Sequence, residues 1–334
     1  MKVATLGEFG LVERIGKVIE KSRSDSEAWQ HLITGIGDDA AAWQTDDTVQ
    51  LATIDALVEG VHFQRRLLNW DDLGWKALAV NLSDIAAMGG IPKYGLVSLA
   101  VPPETEVDDV LALYKGMLKL AHRFGVAIIG GDTDATPYIS VTVAVLGSMG
   151  KSKSLLTRNT ARPGDLIAVT GYLGSAATGY EILRHKTKIG KNATAAKRAF
   201  LRPEPRITEG QLLSKSGIET AIDISDGLLS DLTHICKASR VSARLETGKI
   251  PIAPEVAAAF GKKALLTALS GGEDYELLFT GRPEIVEKVV KKAVCPVTVI
   301  GEIIPGKDCH VTVIDEAGKP VKWQIKGWEH FISK

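Results

Sequence analysis

Seven aspartates are placed where carboxylates can do chemistry. Asp38 and Asp39 sit in GIGDDA, Asp55 follows LATI, and Asp84 lies within VNLSDIAAMGG. Asp132 follows IIGG, while Asp223 and Asp226 fall in AIDISDG. Most adjoin glycine or a small polar residue at the end of an apolar stretch, a position from which carboxylates line a cleft. Carboxylates gathered in one cleft repel each other and stay ionised only with cations among them. Asp oxygens, waters and substrate phosphates are the ligands Mg²⁺ prefers, and no His pair or Cys cluster offers a zinc site. Each Asp alone also fits turn or helix-cap chemistry, and Asp226 reads equally as the cap of the helix that follows it. Asp84 fits neither reading, because it lies inside a helical pattern and shares a face with Asn81 three residues earlier.

Short strands alternating with amphipathic helices must position these groups, the pattern of an α/β or α+β chain. Strands are expected over 49–54, 94–101, 126–129 and 140–146, with helices over 71–88 and 106–124. The first helix has the stop signal Gly89-Gly90 followed by Pro92. GSMGKSKS, residues 147–154, reads as a polar linker and divides the chain into domains at 1–149 and 150–334. Beyond it, strands are expected over 166–170, 218–224, 275–280 and 297–300. Helices are expected near 175–185 and 206–216, and over 228–239 and 283–293. The segment 311–331 reads as short strands and loop, and no 20–50-residue period suggests a solenoid.

The chain has 334 residues, roughly two domains at about 150 residues each. Lys plus Arg equals Asp plus Glu at 40, so the net charge is zero. That balance, without a basic run, argues against a nucleic-acid partner. No apolar stretch is long enough to cross a membrane. Three widely spaced cysteines and no apparent signal peptide fit a reducing cytoplasm.

Two glycine motifs mislead. Gly147–Ser152 lacks the four-residue spacing of a P-loop. GIGDDA matches G-x-G-x-x-A, yet two carboxylates would repel a pyrophosphate held against backbone amides. A carboxylate beside a phosphate makes sense only with a cation between them.

The motifs together resemble the thiamine-monophosphate kinase family, within the superfamily that includes aminoimidazole-ribonucleotide synthetase and selenophosphate synthetase. The segments are GEFGLVERI, GIGDDAA, TIDALVEGVHF, KALAVNLSDIAAMGG, IIGGDT, LTRNTARPGD, LRPEPR, AIDISDGLLSDL, LSGGEDYELLFT and KGWEHF, in family order. The resemblance implies an N-terminal domain, binding ATP and Mg²⁺, whose sheet pairs across a homodimer. A C-terminal α/β domain would complete the cleft. It further implies transfer of the γ-phosphoryl of ATP to thiamine monophosphate. By motif position, Asp39, Thr53, Asp55, Asp84, Asp132, Asp223 and Asp226 would hold several Mg²⁺ ions. Gly131, Asp132, Arg158 and Ser225 would contact ATP, and His62, Glu273 and Trp328 the thiamine phosphate. Asp274 and Asp231 are expected to be structural. Ile54 stands where the family commonly has a hydroxyl residue, so no side-chain metal contact is expected there.

The chemistry needs no acid–base residue. A phosphate monoester has its second pKa near ~6 and is largely dianionic at neutral pH. Charge neutralisation and positioning remain, with Asp55, Asp84 and Asp132 acting electrostatically. A ring-closing ribonucleotide synthetase would share the metals but would not favour GGEDYEL or the tail tryptophan. Selenophosphate synthetase chemistry wants an early cysteine, and none precedes Cys236. A binding protein that has lost the chemistry would be expected to have lost some of these aspartates.

Overall fold

The computed structural model describes residues 10, 12–13, 17, 20, 27–151, 153–185, 193–306 and 308–321. Among them are two six-stranded sheets in a two-domain, mixed α/β architecture. The first contains β1 (Leu32–Thr34), β2 (Ala41–Gln44), β3 (Thr48–Val58), β4 (Ile91–Val101), β5 (Ala127–Ala135) and β6 (Ser140–Gly150). Its order is β1-β2-β3-β6-β4-β5, antiparallel except for the parallel β4–β5 pair at one edge. Before it stands the short α1 (Glu27–His31), and against it pack α2 (Trp70–Ala87) and α3 (Val107–Phe124).

The second sheet is built from β7 (Leu166–Thr170), β8 (Thr220–Asp223), β9 (Ser242–Glu246), β10 (Leu277–Gly281), β11 (Val297–Ile304) and β12 (Val311–Ile314). Its order is β12-β9-β11-β7-β10-β8, with only β12–β9 parallel. Its helices are α4 (Ser175–His185), α5 (Ala193–Leu201), α6 (Ile207–Ser216), α7 (Leu228–Ser239), α8 (Pro254–Phe260), α9 (Ala264–Ser270) and α10 (Pro283–Lys292).

The central element is α2. Asn69 caps it by accepting from the Asp72 N–H at 2.7 Å, the usual service of a side-chain oxygen at this position. Asp71 and Asp72 complement the N-terminal end of its dipole. All its residues except Asp71 and Asp84 are buried. A helix buried on every side belongs between layers, and one hydrophobic core joins Leu82 of α2 and Val141 of β6 to Phe200 of α5 and Phe279 of β10. Helix α3 crosses α2 closely. A Cβ on Gly74 would lie 1.8 Å from the Leu113 carbonyl oxygen, and one on Gly116 1.8 Å from that of Asp71.

Along α3, Leu113, Gly116, Met117, Leu120 and Ala121 are buried at helical spacing. Gly125, in the left-handed region at φ 69°, closes that helix, a conformation glycine adopts without steric cost.

Several strands run further than the sequence suggests, β3 to Val58 and β11 to Ile304 among them. GSMG continues β6 to Gly150, because the ladder with β3 extends to Thr48 and buries Ser148 and Met149. β5 runs through Gly130-Gly131 to Ala135, since β4 offers it a long parallel partner. Asp132 therefore lies within an edge strand, and Asp55 within β3 rather than after it.

The outer face of the first sheet carries exposed apolar side chains. Ile54 is 65% exposed, and Tyr94, Leu96 and Ile129 are exposed too.

Candidate active site

The two domains meet where α2 passes β3 and β8. Ligand oxygens of Asp39, Asp84 and Asp223 lie within 4.8 Å of one another. Asp39 comes from the turn before β2, Asp84 from the last turns of α2, and Asp223 from the end of β8. Thr53 Oγ1 donates to Asp84 Oδ2 at 2.6 Å, and Ser83 Oγ donates to Asp223 Oδ2 at 2.6 Å. Asn81 Oδ1 accepts from the Asp55 backbone N–H at 3.0 Å, fixing β3 against the helix. The shared face of Asn81 and Asp84 thus points at β3.

Burial is the main force raising the Asp84 carboxyl well above its ordinary range, followed by the charges of Asp55, Asp223 and Asp39; the Thr53 bond opposes them. Asp223 is raised chiefly by burial and then by Asp39. Asp38 is pushed up to about 7 by burial and by Asp39, with Arg158 pulling the other way.

Arg158 is the cation at this cluster. Its Nη2 and Nε reach the two oxygens of Asp39 at 2.6 and 3.3 Å, and its backbone N–H donates to Asp38 at 3.2 Å. One guanidinium offsets only part of this charge. The donor set is all carboxylate oxygen and largely buried, so it fits a hard divalent cation such as Mg²⁺.

A second group gathers Asp226, Asp231 and His234 at the start of α7. Asp231 accepts from the N–H groups of Asp226 and Gly227 at 3.2 and 3.1 Å, holding the turn. His234 is lowered to about 4 by burial and then by the charges of Arg158 and Lys237. Asp226 therefore sits with this group. Asp274 accepts from Gly174 N and Ala176 N at 2.6 and 3.0 Å, at the start of α4.

His62 lies in the turn after β3, and its Nδ1 accepts from Val58 N at 3.0 Å. That bond leaves the hydrogen on Nε2. Ser225 is half-buried, and its carbonyl accepts from Glu273 N at 2.8 Å. Gly131 and Asp132 lie on the exposed edge strand β5, separated from β3 by β4 and β6. Three strand spacings put Asp132 roughly 14 Å from β3 along the sheet. Gly131 must lack a side chain, because a Cβ would meet the Val97 carbonyl oxygen at 1.8 Å. Ile54 points outward from the sheet. Trp328 and the KGWEHF segment lie outside the described residues.

Sequence reasoning missed Ser83, Lys76 and Tyr275. Lys76 is fully buried, with Nζ 2.7 Å from Glu273 Oε1. The detectable signal is the one basic residue of a largely apolar helix, seven residues before Ser83 and so on its face. Tyr275 is buried, and its phenol is raised by burial first and then by the charges of Glu273, Asp55, Asp223 and Asp84.

Comparison with known proteins agrees with this architecture. The family described as AIR synthase related protein, N-terminal domain, matches residues 37–149, and its C-terminal counterpart matches residues 162–314. A thiamine-monophosphate kinase from Bacillus subtilis is 39% identical, over 98% of this chain and 100% of its own length. The solved complex of AaThiL with AMPPCP and TMP superposes with a TM-score of 0.86 at 34% identity, covering 99% of each chain. Thiamine monophosphate kinase from Aquifex aeolicus superposes with a TM-score of 0.80 at 32% identity, covering 96% of this chain and 100% of that one. With likeness of this extent in sequence and in fold, the chain belongs to the thiamine-monophosphate kinase family.

Proposed function

We propose that the protein transfers the γ-phosphoryl group of ATP to thiamine monophosphate, giving thiamine diphosphate and ADP. The largely buried three-carboxylate cluster beside Arg158, in a chain of this family, carries the reading. The ligands named for the AaThiL complex, AMPPCP and TMP, support it, AMPPCP being a non-hydrolysable analogue of ATP.

Both substrates are polyanions, so their mutual repulsion is the first barrier. Asp39, Asp84 and Asp223, with Thr53, Asp55, Asp132 and Asp226, are the proposed holders of Mg²⁺. The metal, when bound, supplies charge neutralisation between the two phosphate chains. Asn81 and Thr53 orient Asp55 and Asp84 for that task. Arg158 presents a planar fork suited to phosphate. Ser225 and Gly131 are its proposed neighbours at the nucleotide. His62 Nε2–H is a donor for the acceptor phosphate, Glu273 a partner for the aminopyrimidine, and Trp328 a face for the thiazolium or pyrimidine. Because the acceptor oxygen is already anionic, these residues position and neutralise without abstracting a proton.

We further propose a homodimer formed through the first sheet, whose outer face exposes Ile54, Tyr94, Leu96 and Ile129. Asp132 and Gly131 then reach a carboxylate cluster across that interface. The domain boundary is proposed at 149/150, where β6 ends. A cytoplasmic location suits an ATP-consuming enzyme whose three cysteines are free, and no helix among the described residues is long and apolar enough to cross a membrane.

A coupled assay offering ATP with thiamine monophosphate, free thiamine or the ribonucleotide tests the activity. Consumption of thiamine monophosphate alone, dependent on Mg²⁺, is expected. Preferential use of either alternative overturns the reading.

A further inference from the structure

Lys76 occupies an unusual place for a lysine. It lies on α2 at 0% exposure, with its ammonium 3.8 Å from the centroid of the Phe200 ring and 2.7 Å from Glu273 Oε1. A buried charge is costly unless paired, and Glu273 is the carboxylate it meets. Nζ makes no well-directed hydrogen bond, so the attachment is chiefly electrostatic, with the aromatic face as the second support.

Glu273 is unusual as well. Its backbone sits at φ 68°, and Tyr275 two residues later is at φ 51°. Non-glycine residues rarely adopt this region, and such backbone persists only where surrounding contacts hold it. Here each residue of the loop is anchored. Glu273 N donates to Ser225 O and Tyr275 N to Ile224 O. Asp274 holds the start of α4. Glu276 pairs with Arg206 and accepts from Thr170 Oγ1 at 2.6 Å. The Glu273 side chain is left about one-third exposed (32%), with Lys76 against it from below.

The spacing along α2 gives this pair a functional sense. Asp84 lies eight residues after Lys76, a rise of roughly 12 Å along the helix. One rigid element therefore sets the distance between the phosphate-handling carboxylates and the Glu273 carboxylate. A substrate with a phosphate at one end and a basic heterocycle at the other needs both ends fixed at once.

We propose that Lys76 is a positioning residue for substrate recognition, holding the Glu273 carboxylate aimed at the amine-bearing ring of thiamine monophosphate. The inference rests on the proposed contact between Glu273 and that substrate. Lys76 itself, fully buried, touches no substrate and acts through Glu273 alone.

A double-mutant cycle on the full chain tests this. Lys76→Met is expected to raise the KM for thiamine monophosphate roughly 10- to 100-fold, the range of a charged hydrogen bond, while the KM for ATP stays within about twofold. In the Glu273→Gln background, Lys76→Met is expected to change the thiamine monophosphate KM no further, and Lys76→Arg in the native background to recover part of the loss. Additive effects in the double variant, or equal losses for both substrates, overturn the proposal. If Lys76→Met does not fold, Lys76→Gln carries the test by removing the charge while keeping a long polar side chain. An unchanged thiamine monophosphate KM in that variant overturns the proposal equally. Wild-type protein that consumes no thiamine monophosphate overturns the underlying reading instead. Wild-type turnover combined with an unaltered KM in Lys76→Met overturns only the role of Lys76.

Discussion

Asp84 is held by Thr53 and faced by Asp39, Asp55 and Asp223, so its negative charge is unfavourable until a cation joins it. Asp84→Asn should lower kcat by about 100-fold or more, with circular dichroism unchanged and metal-free stability equal or higher. A fully active variant sinks the metal-cleft reading. The same carboxylates set a pH dependence. Asp38 titrates at about 7 in the folded chain against 3.8 as the ordinary value. Between those limits the folded state keeps a proton that the unfolded state has released. Metal-free stability should therefore fall as pH rises through that window, and the raised Asp84 and Asp223 act in the same direction. Urea denaturation in chelator at pH 5 and pH 8 measures this, with Mg²⁺ expected to reduce the difference. Stability rising with pH in chelator contradicts it. At this scale Asp84 is legible in the sequence because neither turn nor cap explains an aspartate inside a helix. The partnership of Lys76 with Glu273 is not, since nearly two hundred positions separate them and only the packing of α2 on the second domain brings them together.

Helix α2 is readable to within a residue or so at each end, with the Gly89-Gly90 pair a strong local stop signal. The extensions of β5 and β6 are hidden, since their glycines and serine carry no strand preference and the long partners β4 and β3 decide the matter. Helix α5 is hidden too. It is short, and a helix of that length depends on packing rather than propensity. Phe200 supplies such packing against Tyr180, with ring centroids 5.4 Å apart. The close crossing of α2 and α3 yields a prediction at this scale. Gly116→Ala should destabilise the protein by about 1–3 kcal/mol, because the added methyl meets the Asp71 backbone and the helices must separate. Urea titration of the purified variant checks it, and a midpoint equal to wild type contradicts the close approach.

Across the whole molecule, a sheet with one covered face and one exposed apolar face argues for a second copy. Light scattering should give twice the 35.7 kDa chain mass, and Ile54→Lys with Leu96→Glu should shift the protein towards the single-chain mass. A stable, fully active single chain contradicts the shared-sheet arrangement. In the sequence, the expectation of a dimer comes from family resemblance alone; composition and periodicity are silent on it, since an alternating strand looks the same whether its outer face meets water or a twin. The location of Asp132 on the edge strand then affects how the enzyme obeys mass action. If that carboxylate serves a cluster in the neighbouring copy, a lone chain has both halves of a site that never meet. Specific activity should then decline on dilution below the dissociation constant of the pair and recover on concentration, so that turnover per chain itself reports assembly.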